Sequence, residues 1–248
     1  MISTTQAIVL NTHKYGDTSL ICNLFSEDYG KLSIISKGAR TLKNSNRATL
    51  QPLNYIELCY YYKSKRNIQF LKEASINNHY FKIKKNYQKL LYGYTIIDII
   101  NKTSQIDNAC DIIFRLSHKV LYKINHHQNT FAEIYFIFFQ IQLLRYLGYQ
   151  PIINKCSQCN LKYNTLLYNY TIGQLICKSC HQNHNYKIIL NNNSLKIMGF
   201  LTHTHIDNII SEFHFEFRFN EIKTFLYHYI SYHIIDGVKI KSYKLLQL

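Results

Sequence analysis

Thr18-Ser19-Leu20-Ile21-Cys22-Asn23-Leu24-Phe25, the turn Ser26-Glu27-Asp28-Tyr29-Gly30, and Lys31-Leu32-Ser33-Ile34-Ile35-Ser36 set the architecture of the first third of the chain. Both runs are rich in β-branched and aromatic residues, and the turn residues between them join them as antiparallel strands. Outward from this pair, Gln6 to Thr12 reads as a strand that precedes the turn Tyr15-Gly16-Asp17. Beyond a basic loop from Lys37 to Arg47 come Leu53 to Tyr62 and Asn67 to Ser75, separated by the charged link Lys63-Ser64-Lys65-Arg66. Five short antiparallel strands predict a small closed barrel of the OB type, whose face and loops bind single-stranded nucleic acid.

After Asn78 the period becomes helical, with Leu90, Leu91, Tyr94, Ile97 and Asp98 with Ile100 setting the spacing. Helices are expected at about 84 to 103, 108 to 125 and 130 to 147. Gly148 marks the last stop and Pro151 lies just beyond. Thr130 reads as an N-cap whose capping box Glu133 completes. Ile134 to Phe139 is apolar all round, as a helix in the middle of a bundle must be. Helical pattern resumes near Asn193, where Leu195, Ile197, Met198 and Leu201 pack together, and a last helix runs from Asn220 to Ile235. The fold class is α+β. Residues 1–78 form the barrel, 79–150 and 188–248 the two parts of a helical domain, and 151–187 an inserted module.

That module carries Cys156-x-x-Cys159 and Cys177-x-x-Cys180, with 17 residues between the pairs. The spacing is that of a zinc ribbon, because each C-x-x-C turn aims two sulfurs at one point and four thiolates close a tetrahedron. A closed shell holds structure and leaves no position for substrate. His181 and His184 lie near enough in sequence to substitute. Between the pairs, Leu166 to Ile176 reads as a hairpin turning at Gly173. Cys22, Cys59 and Cys110 sit among apolar neighbours and read as small hydrophobes.

The net charge of +15 calls for a polyanionic partner. Its distribution says more than its total: from Lys37 to Lys89, 12 basic residues face only Glu57 and Glu73. The N-terminus has no basic run leading into an apolar one, and the greasy stretch Ile134 to Phe139 is too short to span a bilayer, so the expected compartment is the cytoplasm, with no membrane partner. A reducing cytoplasm favours metal ligation over disulfides.

Phosphate-binding loops, dinucleotide fingerprints, H-E-x-x-H and G-x-S-x-G are all missing from the chain. Its carboxylates are too scattered to form a two-metal centre, and His203 with His205 reads as a packing feature. The expectation is a binding protein and not an enzyme.

The run Tyr15-Gly16-Asp17-Thr18-Ser19-Leu20, followed by Leu24-Phe25-Ser26-Glu27, Tyr29-Gly30-Lys31, Lys37-Gly38-Ala39-Arg40 and Leu50-Gln51-Pro52-Leu53, closely resembles the N-terminal domain of the RecO family of bacterial DNA repair proteins. Leu147-Gly148-Tyr149-Gln150-Pro151 leading into the cysteine pairs, and Lys241-Ser242 near the end, resemble the rest of that family; Tyr243 departs from it, standing where Arg is typical. The resemblance implies an OB-fold, a helical domain and a zinc module in recombinational repair. It implies binding to single- and double-stranded DNA, annealing of complementary strands and, with RecR, loading of RecA onto DNA coated by single-strand-binding protein. It also implies association with the nucleoid. An RNA-binding OB-fold and zinc-ribbon factor in RNA processing or translation is the alternative.

Lys37, Arg40, Lys43 and Arg47 after the third strand, with Lys63, Lys65 and Arg66 before the fifth, are the expected nucleic-acid-binding residues, Arg40 foremost because its guanidinium grips phosphate bidentately. Gly38 is expected to let the backbone approach closely. Of the three tyrosines at 60 to 62, alternation puts Tyr60 and Tyr62 on one face and Tyr61 on the other.

Overall fold

The computed structural model describes residues 1–41, 44, 46–104, 110–181, 188–216, 218–234 and 240–246. They form two compact units, Met1–His126 and His127–Leu248. No helix among the described residues is long and apolar enough to cross a membrane.

The first unit contains β1 (Ile2–Tyr15), β2 (Ser19–Ser26), β3 (Gly30–Ser36), α1 (Asn46–Thr49), β4 (Tyr55–Tyr61), β5 (Gln69–Asn78), α2 (Phe81–Lys85), α3 (Tyr87–Thr103) and α4 (Asp111–His126). All five expected strands form, and they close a barrel in the order β1-β2-β3-β5-β4, the OB-fold arrangement. β1 outruns its expected bounds because it serves two partners: Ile2 to Ile8 pairs with β4 and Ala7 to Tyr15 with β2. An irregularity between Val9 and Asn11 lets the strand bend from one to the other. Closure is made by a short parallel pairing of β3 with β5, Ile34 opposite Gln69 and Ile35 opposite Phe70.

Alternation fills the barrel. Ala7, Val9, Cys22, Leu24, Leu32, Ile34, Ile56, Leu58 and Tyr60 point inward and are buried. Each large apolar member stabilises the barrel by roughly 1.5–3 kcal/mol relative to exposure. Of the three unpaired cysteines, Cys22 is buried as expected, while Cys59 and Cys110 are half-buried.

The helix expected over 84 to 103 is two helices. Asn86 stands between them in extended conformation, its side chain accepting from Lys89 N, so it caps α3 and ends α2. The buried face of α3 is only partly the expected one: Ile97 and Ile100 are buried as expected, together with Tyr92, Thr95, Ile96 and Ile99, while Leu90 and Leu91 are half-buried and Tyr94 is exposed. Gly93, which a hydrophobic count ignores, lies on the buried face; a Cβ there would lie 3.1 Å from Ile83 and 3.2 Å from Leu53, so its bare backbone lets the helix sit close. Asn125 of α4 caps α2 from outside, its Oδ1 accepting from Lys82 N at 3.0 Å and Ile83 N at 3.2 Å. The change from strand to helix near residue 78 is therefore no break in packing, since α2 to α4 belong to the same unit as the barrel.

The second unit contains α5 (Asn129–Tyr146), β6 (Leu166–Asn169), β7 (Gln174–Ile176), β8 (Ile189–Leu190), α6 (Asn192–His203), α7 (Ile209–Glu212), α8 (Asn220–His233) and a 3-10 turn over Lys241–Leu246. α5 is buried continuously from Ile134 to Leu144, which fits its unbroken apolar surface. The expected capping box is absent. The cap position is Gln128, without a side-chain bond, and Glu133 instead pairs with Lys223 of α8 at 2.6 Å. The helix stops where expected: Gly148 has φ 81°, its N–H donates to Arg145 O and that of Tyr149 donates to Leu144 O, a Schellman motif. Leu195, Ile197, Met198 and Leu201 are buried together in α6.

Tyr243, the departure in the tail, is buried. Its hydroxyl donates to Gln140 Oε1 of α5, and its ring lies 4.7 Å from Tyr227 and 6.2 Å from Phe136. The tail is thus held against α5 by an aromatic plug.

Candidate nucleic-acid interface and metal centre

The parallel closure of the barrel brings the end of β3 beside the start of β5, and the antiparallel pairing of β4 with β5 sets Tyr61 opposite Phe70. Three chain segments thus converge on one hollow of about 560 Å³. Lys37, Lys63, Arg66 and Lys72 line it with Phe70 and Tyr61, and no carboxylate is among its lining residues. Lys37 Nζ lies 5.1 Å and Arg66 Cζ 4.9 Å from the centre of the Phe70 ring, within cation–π range.

Gln69 fixes the β4–β5 connection from below. Buried itself, it accepts from Lys63 N at 2.9 Å and donates to Lys63 O at 3.0 Å and Arg66 O at 2.7 Å. One amide thereby holds two of the cation-bearing residues at their backbones. Neither it nor Phe70 nor Lys72 was singled out from the sequence. The signal was there: in a strand over 67 to 75, alternation places Phe70 and Lys72 on one outward face.

The other expected cations lie elsewhere. Arg40 N donates to Thr18 O at 2.8 Å, and its Nη1 donates to Gly16 O at 3.0 Å, so the loop after β3 is tied to the β1–β2 turn. Gly38, with φ 69°, supplies the left-handed residue this loop needs to turn, with Thr41 N and Oγ1 both donating to its carbonyl. Arg47 on α1 and Lys65 in the β4–β5 connection are exposed and do not line the hollow. Lys43 lies outside the described residues. Tyr60 is in the core, Tyr62 stacks on Tyr29 with centroids 6.4 Å apart, and Tyr61 is 45% exposed at the rim, so the alternation expected of the three tyrosines holds.

In the second unit the sulfurs of Cys156, Cys159, Cys177 and Cys180 all lie within 4.8 Å of one another. Tetrahedral zinc–thiolate bonds of about 2.3 Å place sulfurs about 3.8 Å apart, and Cys159 Sγ to Cys177 Sγ is 3.9 Å. The knuckle at Cys156 is shaped for a thiolate: Gln158 N and Cys177 N donate to its sulfur at 3.4 and 3.3 Å, and Asn160 takes φ 62° to complete the turn. Ser157 joins this knuckle to β7 through its N–H and hydroxyl, both donating to Leu175 O. Desolvation pushes the Cys177 thiol up, but hydrogen bonds from Tyr163 and Cys180 outweigh it and hold the group at about 6. The donor set fits a soft or borderline dication and has no open position for catalysis. His181 is not part of the four-sulfur group, and His184 lies outside the described residues. His205 pairs with Asp207 at 3.4 Å.

The hairpin turns at Gly173 as expected, and it rests on α8. Tyr232 donates to Thr171 O at 3.1 Å, and His233 Nε2 meets Gly173 O at 2.7 Å. A Cβ at Gly173 would lie 2.3 Å from the Tyr232 ring, so only glycine permits this seating.

Residues 1–80 match the family model "Recombination protein O N terminal", and residues 84–243 match "Recombination protein O C terminal". The DNA repair protein RecO of Salinibacter ruber is 30% identical over 151 residues, 61% of this chain and 58% of that protein. That of Chloroherpeton thalassium is 33% identical over 156 residues, 63% and 60% of the two chains. That of Alkaliphilus metalliredigens is 23% identical over 202 residues, 81% of each. In the first two comparisons the chain spans less than two thirds of the relative's own length. Two consecutive models that together run from the first strand of the barrel to the buried Tyr243 leave one conclusion: the chain belongs to the RecO family.

Proposed function

We propose that this chain is a DNA repair protein that holds single- and double-stranded DNA and anneals complementary strands. The observation that carries the reading is the hollow at the closure of the barrel, where Lys37, Lys63, Arg66 and Lys72 gather around Phe70 without a carboxylate among them. Lysine and arginine neutralise phosphates and release counterions, so two strands can be held together while their mutual repulsion is offset. No nucleotide cofactor is needed. Arg40, Arg47 and Lys65 extend the track beyond the hollow, Arg40 through guanidinium nitrogens other than the one bonded to Gly16 O, and Lys43 adds its charge to the same loop sequence.

In this reading residues 1–78 contact the DNA, 79–150 and 188–248 form the helical body, and 151–187 hold one structural zinc ion through the four cysteines. Family membership supports the wider role: cooperation with RecR, displacement of single-strand-binding protein and loading of RecA, on nucleoid DNA in the cytoplasm. Binding a displaced protein's acidic tail requires a basic-rimmed groove, a general mode of recognition.

The test is fluorescence anisotropy with a labelled thymidine oligomer over rising salt. Lys63→Ala/Arg66→Ala/Lys72→Ala is expected to reduce the slope of log affinity on log salt by roughly 0.7 per lost phosphate contact. An unchanged slope overturns the site. Matched RNA and DNA oligomers, with an annealing assay, separate repair from an RNA-binding role.

A further inference from the structure

We infer that Phe70 is a base-stacking platform and that the two cations over its ring are exchanged for an unpaired base when single-stranded nucleic acid binds. This rests on the proposed DNA-binding role of the hollow and goes beyond it by naming what the hollow does with bases as distinct from phosphates.

Phe70 is half-buried, rooted in the strand that closes the barrel and oriented into the hollow. No aromatic ring stacks on it among the described residues; what approaches it is Lys37 and Arg66, at 5.1 and 4.9 Å from its centre. Both belong to exposed or half-exposed side chains on separate loops, free to swing outward on their stems. A cation resting on an exposed ring gains little, whereas a guanidinium or ammonium on a phosphate makes a charge-assisted bond of about twice the ordinary strength. An incoming phosphate therefore draws the cations off the ring, and the vacated face is apolar, planar and open. A base attached to that phosphate covers it.

The surroundings fit one base and its neighbour. Tyr61 is the cross-strand partner of Phe70 and stands exposed at the same hollow, so a second ring lies one strand away, about 5 Å between Cβ atoms in such pairs. The volume of about 560 Å³ lies within the range of small-ligand sites. Every base has a π-face, so the platform tolerates any sequence; a base stacked inside a duplex cannot reach it. The ligand class is thus unpaired nucleobases.

The experiment separates the two layers. Anisotropy titrations at fixed salt compare a labelled thymidine oligomer with the same oligomer carrying abasic sites, a probe of backbone alone. Wild type should bind the abasic oligomer about tenfold more weakly. Phe70→Leu should bind both oligomers alike, at the abasic level, and Phe70→Trp should restore the difference. Lys63→Ala/Arg66→Ala should weaken both oligomers together. Equal binding of the two oligomers by wild type, or a Phe70→Leu variant that still discriminates as wild type does, overturns the platform. Unweakened binding by the lysine–arginine variant overturns the reading beneath it. The wild-type comparison needs no variant and so stands whatever substitution at Phe70 does to folding.

Discussion

Gln69 and Lys63 exchange two hydrogen bonds across the β4–β5 connection, Lys63 N donating to Oε1 at 2.9 Å and Nε2 donating to Lys63 O at 3.0 Å. A third bond, to Arg66 O at 2.7 Å, makes this one buried amide the organiser of the turn that presents two cations to the hollow. A side chain of similar size without the amide leaves Lys63 N and Arg66 O without this partner, while Lys63 O keeps the bond from Arg66 N at 3.1 Å. Each such unmet group costs about 1–3 kcal/mol where it is buried, less where water reaches it. Gln69→Leu is therefore expected to lower the melting temperature and, because Lys63 and Arg66 lose their fixed positions, to weaken single-strand binding at every salt concentration. Differential scanning fluorimetry and anisotropy read the two effects. A variant of unchanged stability and affinity refutes the organising role.

Arg40 does two jobs that one substitution can separate. Its Nη1 donates to Gly16 O, a tether that depends on the reach and planarity of the guanidinium, while its charge faces solvent beside the hollow's loop. Arg40→Lys keeps the charge and loses the fork. The variant should retain the salt slope of wild type and melt lower, whereas Arg40→Ala should lose both. A lysine variant that loses salt dependence as fully as the alanine variant contradicts this division.

The parts of the molecule that the sequence disclosed are those where one local rule acts alone. Alternation in β2 and β3 located the barrel core, and the C-x-x-C spacing located the four-sulfur group, since side-chain period and ligand number are local properties. The hollow was half legible. Lys37, Lys63 and Arg66 were named for their charge, but Phe70 gains its meaning only from the pairing with Ile35 and Tyr61, two contacts across the closed sheet. Gln69 looked neutral because its role is to satisfy backbone groups that only the folded turn exposes. Thr130 and Glu133 failed as a capping box for the same reason: a long-range partner, Lys223, outcompeted a local one. Gly93 seats α3 through what it lacks, and counts of apolar residues register only what is present.

The metal centre makes a prediction confined to the second unit. Wild type is expected to carry one zinc ion per chain by mass spectrometry under native conditions; removal of one sulfur by Cys177→Ser leaves three donors and opens the tetrahedron, so the variant should carry none. The knuckle at Cys156 and the hairpin seated on α8 lose their anchor, and hydrogen exchange should rise across 156–177. Exchange in the barrel strands Ser19–Ser26 and Gly30–Ser36, which belong to the other unit, should stay as in wild type. Retention of one zinc per chain by the variant rules out the four-sulfur site.

His118 makes barrel stability depend on pH. Its ring lies 4.2 Å from that of Tyr55 at the start of β4 and 6.4 Å from that of Tyr80, and it is half-buried. Burial holds its pKa below the ordinary 6.5, and the neighbouring Lys119 charge acts in the same direction. The unfolded chain thus takes up this proton more readily than the folded one. The sign follows: the contribution is fully present above about pH 6.5, where the imidazole is neutral in both states, and is lost as the pH falls from there through the lower folded value. The chain has twelve histidines, so the measurement is a difference. His118→Phe keeps an aromatic ring against Tyr55 and removes the titration. Urea denaturation followed by tyrosine fluorescence, between pH 7.5 and pH 5, should show wild type losing more stability on acidification than His118→Phe. Parallel curves for the two proteins would mean that His118 is as easily protonated in the fold as out of it.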